Sequence, residues 1–198
     1  RNIHLKAGDN VEIVDNNKSY EIDRFDIFPS LHISNQINEQ NQIYLSYSRR
    51  LQRPDSRMLD PNPIFRDEFN YMQGNPELEP EYINSYEFGY QKYFKKSYIS
   101  SELFYRNTTN IINRIIEVDE NGLYKRTAEN LDQDHSIGLE LMSDLSISPI
   151  FTLNASANLF YYKLEGNLLS TAVDEETFVY SGRLNGMFRF SRSTSLQA

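Results

Sequence analysis

Apolar and polar residues alternate with a period of two through most of the chain. From Gln42 onward, Ile43, Leu45 and Tyr47 interleave with Tyr44, Ser46 and Ser48, the pattern of a strand with one greasy and one wetter face. The beat returns at Tyr86, Phe88 and Tyr90 against Glu87, Gly89 and Gln91. It returns again at Ile99, Ser101, Leu103 and Tyr105, and at Ile137, Leu139 and Leu141. Phe151, Leu153, Ala155, Ala157, Leu159 and Tyr161 against Thr152, Asn154, Ser156, Asn158 and Phe160 form the clearest case, long enough for a tilted strand to span a bilayer. Toward the end, Tyr180, Gly182, Leu184, Gly186, Phe188 and Phe190 interleave with Ser181, Arg183, Asn185 and Arg189. With a strand opening at Phe28-Pro29-Ser30-Leu31, the pattern predicts about seven strands and an eighth starting at Ser193. The fold class is all-β, an antiparallel meander.

The connections alternate too. Short polar turns are predicted at Asn38 to Asn41, Lys95 to Ser97, Ser146 to Pro149 and Ser191 to Ser193, and long loops at about 49 to 83, 107 to 134 and 164 to 177. An outer-membrane barrel has short turns at one end and long loops at the other, whereas a soluble sandwich has no reason to sort them. Pattern alone leaves a jelly roll or a carbohydrate-binding sandwich as the soluble alternatives. On the barrel reading, Leu153, Ala155, Ala157, Leu159, Leu184 and Phe188 are the candidate lipid-facing residues.

Composition narrows the classes. The 198 residues include no cysteine, which removes thiolate metal centres, thiol enzymes and disulfide scaffolds. Acids outnumber bases by 28 to 20, and a net charge of -8 argues against a nucleic-acid partner. The segment 117–134 and the group Glu165, Asp174, Glu175 and Glu176 together equal that excess, so acidic loops are expected to keep exposed ends soluble. Mean hydropathy is -0.62 and the longest apolar run, Leu159 to Tyr162, has four residues, far short of a spanning helix. Barrel strands look hydrophilic on average, so this leaves a barrel open. Tyrosine (14) and phenylalanine (12) supply all the aromatics. Tyr93, Phe94 and Tyr98 at one turn, and Phe160, Tyr161 and Tyr162 at the opposite strand end, sit where interfacial girdles belong. The opening Arg1-Asn2-Ile3-His4 carries no initiator methionine or leader pattern, which is expected of an excised segment.

Candidate chemistry is thin. His4, His32 and His135 are far apart and none has a second histidine at ligand spacing, so no metal site is expected. Asp119-Glu120-Asn121-Gly122 lacks the further ligands of a calcium loop and reads as a turn. No phosphate loop, nucleophile elbow or zinc-protease helix is present, so neither an enzyme nor a cofactor is expected.

One stretch rises above pattern. Ser46-Tyr47-Ser48-Arg49-Arg50-Leu51-Gln52-Arg53-Pro54 leads through Leu59-Asp60-Pro61-Asn62-Pro63 to Gly74-Asn75-Pro76-Glu77-Leu78-Glu79-Pro80-Glu81 and then to the aromatic Tyr82 to Tyr90. Pro76 and Pro80 lack donors and fix φ, so Gly74 to Pro80 is a stiffened loop that feeds the next strand in a set register. Glu81 and Glu87 flank that strand start, placed to accept hydrogen bonds from backbone or from Arg49, Arg50 or Arg53. In order and content, the stretch resembles the barrel of TonB-dependent outer-membrane receptors, especially the Bacteroidetes-type outer-membrane β-barrel family. The family elements matched are Arg49, Arg50, Arg53, Pro54, Gly74, Asn75, Pro76, Leu78, Pro80 and Glu81.

The resemblance implies a bacterial outer-membrane protein that imports a scarce nutrient, whether metal chelate, vitamin or glycan. Its implied partners are outer-membrane lipid, an unidentified extracellular ligand and a TonB-type energy transducer acting through an N-terminal plug. On this reading residues 1–198 are part of the barrel domain, with plug, leader and barrel C-terminus outside the chain. The loop from Arg49 to Ile83 is then the candidate for ligand contact or loop closure. A partial barrel is expected to form an open curved sheet with two free edges. A secreted or periplasmic glycan-binding sandwich and a barrel adhesin without transport are the alternatives.

Overall fold

The computed structural model describes residues 11–15, 18–22, 26–168, 171–191 and 193–197. Its strands are β1 (Val11–Asp15), β2 (Lys18–Ile22), β3 (Ser30–Asn38), β4 (Asn41–Gln52), β5 (Ile64–Phe65), β6 (Asn70–Met72), β7 (Glu81–Phe94), β8 (Ser97–Val118), β9 (Tyr124–Ser148), β10 (Phe151–Leu168), β11 (Thr171–Arg189) and β12 (Ser195–Gln197). One helical turn, α1 (Ser56–Leu59), follows β4. β1 and β2 pair only with each other. The main path runs β12-β11-β10-β9-β8-β7-β4-β3, every neighbour antiparallel, with β3 and β12 as free edges. The meander and its strand number are those the alternation predicts, and the sheet is open.

A strict register explains why alternation persists from strand to strand. Leu31, Tyr47, Tyr86, Tyr105, Ile137, Tyr161 and Phe178 are successive cross-strand partners, forming one row across seven strands. Two residues along, the next row is Ile33, Leu45, Phe88, Leu103, Leu139, Leu159 and Tyr180. Both rows lie on one face, because partners share a face and side chains alternate along each strand. The row between them, on the opposite face, is His32, Ser46, Glu87, Phe104, Gly138, Phe160 and Val179. Slipping any strand by one residue would exchange these faces.

No second layer covers the apolar face among the described residues. Leu45 is 53%, Phe178 61% and Leu184 70% exposed, values foreign to the core of a soluble sandwich. On the polar face two glycines admit large aromatics from neighbouring strands. A Cβ on Gly89 would lie 2.1 Å from the Tyr44 ring, and one on Gly138 would lie 2.4 Å from Phe160 Cβ and 2.7 Å from the tip of Phe104. Phe104 is thereby buried in a single-layer sheet, and Tyr44 reaches across Gly89 to donate to the Glu102 carboxylate. Such interlocks fix the register that the hydrophobic pattern selects.

The short turns step along this register. β4 opens at Asn41 on the row of Lys92, Ile99, Ser143, Ala155 and Leu184. β7 runs two residues past that row to Phe94, and β10 begins four residues below it at Phe151. The offset is one residue per strand. With a rise of about 3.3 Å and a strand spacing of about 4.8 Å, turns at one level require a tilt of about 35°, within the range of closed barrels.

Two of the predicted long loops are corrected. Residues 107–134 are mostly strand, since β8 and β9 pair in one register, interrupted only at Asn110, to Val118 and Tyr124 and leave only 119–123 as a turn. Likewise β10 and β11 pair up to Leu168 and Thr171. Apart from Asp119 and Glu120 in the turn, the acids assigned to those loops therefore sit on strands, where Lys163 Nζ lies 2.6 Å from Glu165 and 3.5 Å from Asp174, and Lys125 Nζ 2.7 Å from Glu117. The girdle expectation is also narrowed. Tyr161 shares the apolar face, but Phe160 and Tyr162 point to the other, where the Tyr162 hydroxyl donates to Asp134.

Candidate functional site

The third long segment, 53–80, is a folded loop, and it docks on the ribbon that β8 and β9 form beyond the start of β7. Asp55 caps α1 by accepting from the N–H groups of Arg57 (2.9 Å) and Met58 (3.1 Å). β5 pairs with β6, and β6 adds to β9 in parallel, Asn70 opposite Tyr124 and Met72 opposite Arg126. At the ribbon tip the Asp119 carboxylate accepts from the backbone N–H groups of Leu123 and Asn121, both at 2.9 Å, and from the Tyr71 hydroxyl at 3.1 Å. Those donors, Leu123 first, hold its carboxyl below the ordinary carboxylate range. Asp67 is lowered in the same way, by the Asn70 side chain and then the Phe69 N–H. Gly122 takes φ 80 to close the turn.

The motif residues build the joint between loop and ribbon. Gly74 N–H donates to Asp60 O at 2.7 Å and Asn75 N–H to Met58 O at 2.6 Å. A Cβ on Gly74 would stand 2.6 Å from both Asp60 N and Met58 O, backbone atoms that cannot turn aside. The Asn75 side chain accepts from Glu77 N–H at 2.9 Å and donates to Ala128 O on β9 at 3.2 Å. Leu78, 2% exposed, fills a small core with Leu59 and Ala128, flanked by Met58 and Ile112. Pro76 sits half-buried in the turn and Pro80 is buried just before β7. Glu81 opens β7, and its carboxylate accepts the Ile112 N–H at 2.7 Å. Of the two expected kinds of donor, backbone supplies this one.

The arginines occupy the base of the same loop. Arg49 N–H donates to Pro29 O at 3.0 Å, and its guanidinium lies 4.9 Å over the Tyr82 ring. Arg50 is exposed on the polar face, opposite Ile83. Arg53 and Pro54 follow β4, Arg53 exposed and Pro54 half-buried. Glu87 takes the Ser85 hydroxyl at 3.0 Å. The structure thus brings Asn75, Leu78 and Glu81 onto the ribbon and packs Gly74 inside the loop against Met58 and Asp60, while Arg49 and Arg50 stay on the wall.

Leu153, Ala155, Ala157 and Leu159 of β10 share the apolar face with Leu184 and Phe188 of β11, Ala155 opposite Leu184 and Phe151 opposite Phe188. Phe151 and Phe188 stack at 4.4 Å beside the turn end. Sequence reasoning missed Asn110, Ile112, Ala128 and Asn130, the partners of the motif. Each stands alone in the sequence, and only the pairing of β8 with β9 gathers them. Among the described residues no three His, Cys, Asp or Glu side chains gather as metal ligands.

A tilted, two-faced meander with short turns at one end and a projecting, loop-laden ribbon at the other defines an outer-membrane β-barrel wall. The family model described as Outer membrane protein beta-barrel family matches residues 6–198, and the chain belongs to that family. It is an outer-membrane protein, and a soluble sandwich is excluded. Among solved structures, the chain is similar to the siderophore receptor PirA from Pseudomonas aeruginosa, with TM-score 0.61 and 15% identity over 86% of this chain and 37% of that one. It is similar to the Serratia marcescens hemophore receptor HasR, crystallised with its hemophore HasA and heme, with TM-score 0.57 and 14% identity over 91% and 37%. A ferric enterobactin receptor mutant from Pseudomonas aeruginosa gives TM-score 0.54 and 14% identity over 86% and 33%. The chain spans about a third of the length of these proteins. They establish the fold, that of receptor barrels. A comparison with curated protein sequences found no match.

Proposed function

We propose that the chain is part of the barrel of a TonB-dependent outer-membrane receptor that imports a scarce nutrient such as a metal chelate, vitamin or glycan. The apolar face, with Leu153, Ala155, Ala157, Leu159, Leu184 and Phe188, meets lipid, and the polar face lines the lumen. The short turns are periplasmic, and the ribbon with loop 53–80 is extracellular, where it contributes to the ligand-binding vestibule. A plug elsewhere in the full protein couples the lumen to the energy transducer.

The observation that carries this reading is the joint placement of the docked loop and the two-faced wall. One face exposes unbroken apolar rows, and the folded loop lies beyond them, at the end opposite the short turns. The siderophore and hemophore receptors of the same fold support the import class.

The test uses the full-length gene product in its own host. Disrupting the gene, or deleting 62–72 from the loop, is expected to abolish energised uptake of one tested nutrient, with ferric siderophore, heme and cobalamin as the probes, together with starch oligosaccharides. Deleting the energy transducer should have the same effect. A gene product that purifies monodisperse without detergent, or that lacks a plug domain, would overturn the receptor reading.

A further inference from the structure

Where the ribbon leaves the wall, β8 carries a backbone irregularity. Asn110 has φ 58, in the left-handed region that asparagine tolerates better than other non-glycine residues. Register is intact on both sides, Thr109 opposite Gln133 and Ile111 opposite Leu131, so the irregularity is conformational and not an inserted residue. It falls where β8 loses its other neighbour, since the last pair with β7 is Tyr82 with Thr109. Beyond that point β8 and β9 lack the wall's support on the β7 side.

Side chains from three segments close on this irregularity. Asn130 Oδ1 accepts from Glu79 N–H at 2.7 Å while its Nδ2 donates to Glu79 O at 2.9 Å, so the carboxamide pairs with the Glu79 backbone as a neighbouring strand would. The same Nδ2 donates to Asn110 O at 2.7 Å, and Asn110 Nδ2 donates to Glu79 Oε2 at 2.7 Å. One turn of loop further, Glu81 takes the Ile112 N–H that the end of β7 leaves without a carbonyl partner. The bonds tie the end of the motif, Glu79 to Glu81, to both strands of the ribbon on either side of Asn110.

We propose that Asn110 is the elbow of the extracellular ribbon and that the Glu79–Glu81 segment, gripped by Asn130, is the brace that sets its angle to the wall. Every bond of the brace lies outside the wall's own ladder, so it opens without breaking a rung. Releasing the loop then frees the ribbon to swing, and docking the loop fixes it. The device stands whatever the barrel imports.

Spin labels on the full-length protein in detergent micelles test this. One label goes at Asn121→Cys on the tip and one at Ser101→Cys in the wall, and any cysteine outside this chain is replaced by serine. The parent protein is expected to give one narrow distance distribution. Asn130→Asp keeps the acceptor but loses the donated bonds, and Asn110→Gly keeps the backbone angle but loses the side chain. Each should add a second distance population. The Glu79 and Ile112 amides should exchange about tenfold faster or more, while Leu139 in the wall is unchanged. A parent distribution that is already broad, or an unchanged one in Asn110→Gly, overturns the proposal. If Asn130→Asp fails the heat-modifiability test of folding, Asn110→Gly decides alone.

Discussion

Between the short turns and the row of Tyr47, the molecule has almost no interior. Phe104 is buried, whereas Leu45, Phe88, Leu103 and Ile137 lie roughly half exposed on a face that no other described residues cover. Beyond that row the balance reverses. Leu59, Leu78 and Ala128 form a true if small core, and Tyr71, Ile115 and Leu131 are buried as well. The wall takes its order from register and, in the receptor proposed above, from lipid on its apolar face. The ribbon end takes its order from packing and from side chains that bond backbone. A substitution should therefore be read against the medium that its region depends on.

The largest effect is expected at the ribbon core. Leu78→Ala removes the side chain at its centre and should destabilise the docked loop by about 2–5 kcal/mol. Limited proteolysis should then cut 53–80 in the intact protein while the wall stays heat-modifiable. Next is a pair of neighbours on β10. Ala157→Arg places a charge in the apolar face and should cost about 2–4 kcal/mol in lipid, whereas Asn158→Arg on the polar face should cost far less. Equilibrium unfolding in vesicles measures both, and equal costs would erase the distinction between faces.

A smaller effect is expected where an aromatic overlies a glycine. Gly89→Ala drives a methyl into the Tyr44 ring and should destabilise by about 1–3 kcal/mol, with Tyr44→Ala restoring much of the loss when the two are combined. Smallest is the pH response of the tip. The Asp119 carboxyl is lowered in the folded protein, so its contribution is present above the unfolded carboxylate pKa and is lost as pH falls through the folded one. Cleavage within 119–123 by an acid-stable protease should increase below about pH 4, and Asp119→Asn should flatten that dependence.

The wall was legible because its alternation is clean. At Ile43 to Tyr47 and Phe151 to Tyr161 one face is apolar throughout, so period alone gives both strand and face. The upper ribbon was not legible. Ile111 and Ile112, like Ile115 and Ile116, are adjacent apolar residues on opposite faces, because the loop covers part of one face and other contacts bury Ile115 on the other. A two-sided strand loses its beat and passes for a loop. Pro76, Pro80 and Gly74 announced a stiff loop by their own chemistry. Asn110 and Asn130 could not be found in the same way, since a single asparagine says nothing until a fold carries it to Glu79, 31 and 51 residues away in sequence.

The stepped turns carry a consequence for the tyrosine row. Tyr47 stands six residues above the start of β4, but Tyr161 stands ten above the start of β10, although both belong to one line of cross-strand neighbours. The line is therefore a thread on a screw and not a hoop. Moving one strand around the wall climbs about 3 Å, so these two hydroxyls differ in depth by roughly 10 Å. Residues that touch along the thread meet different lipid chemistry, and residues at equal depth are never row partners.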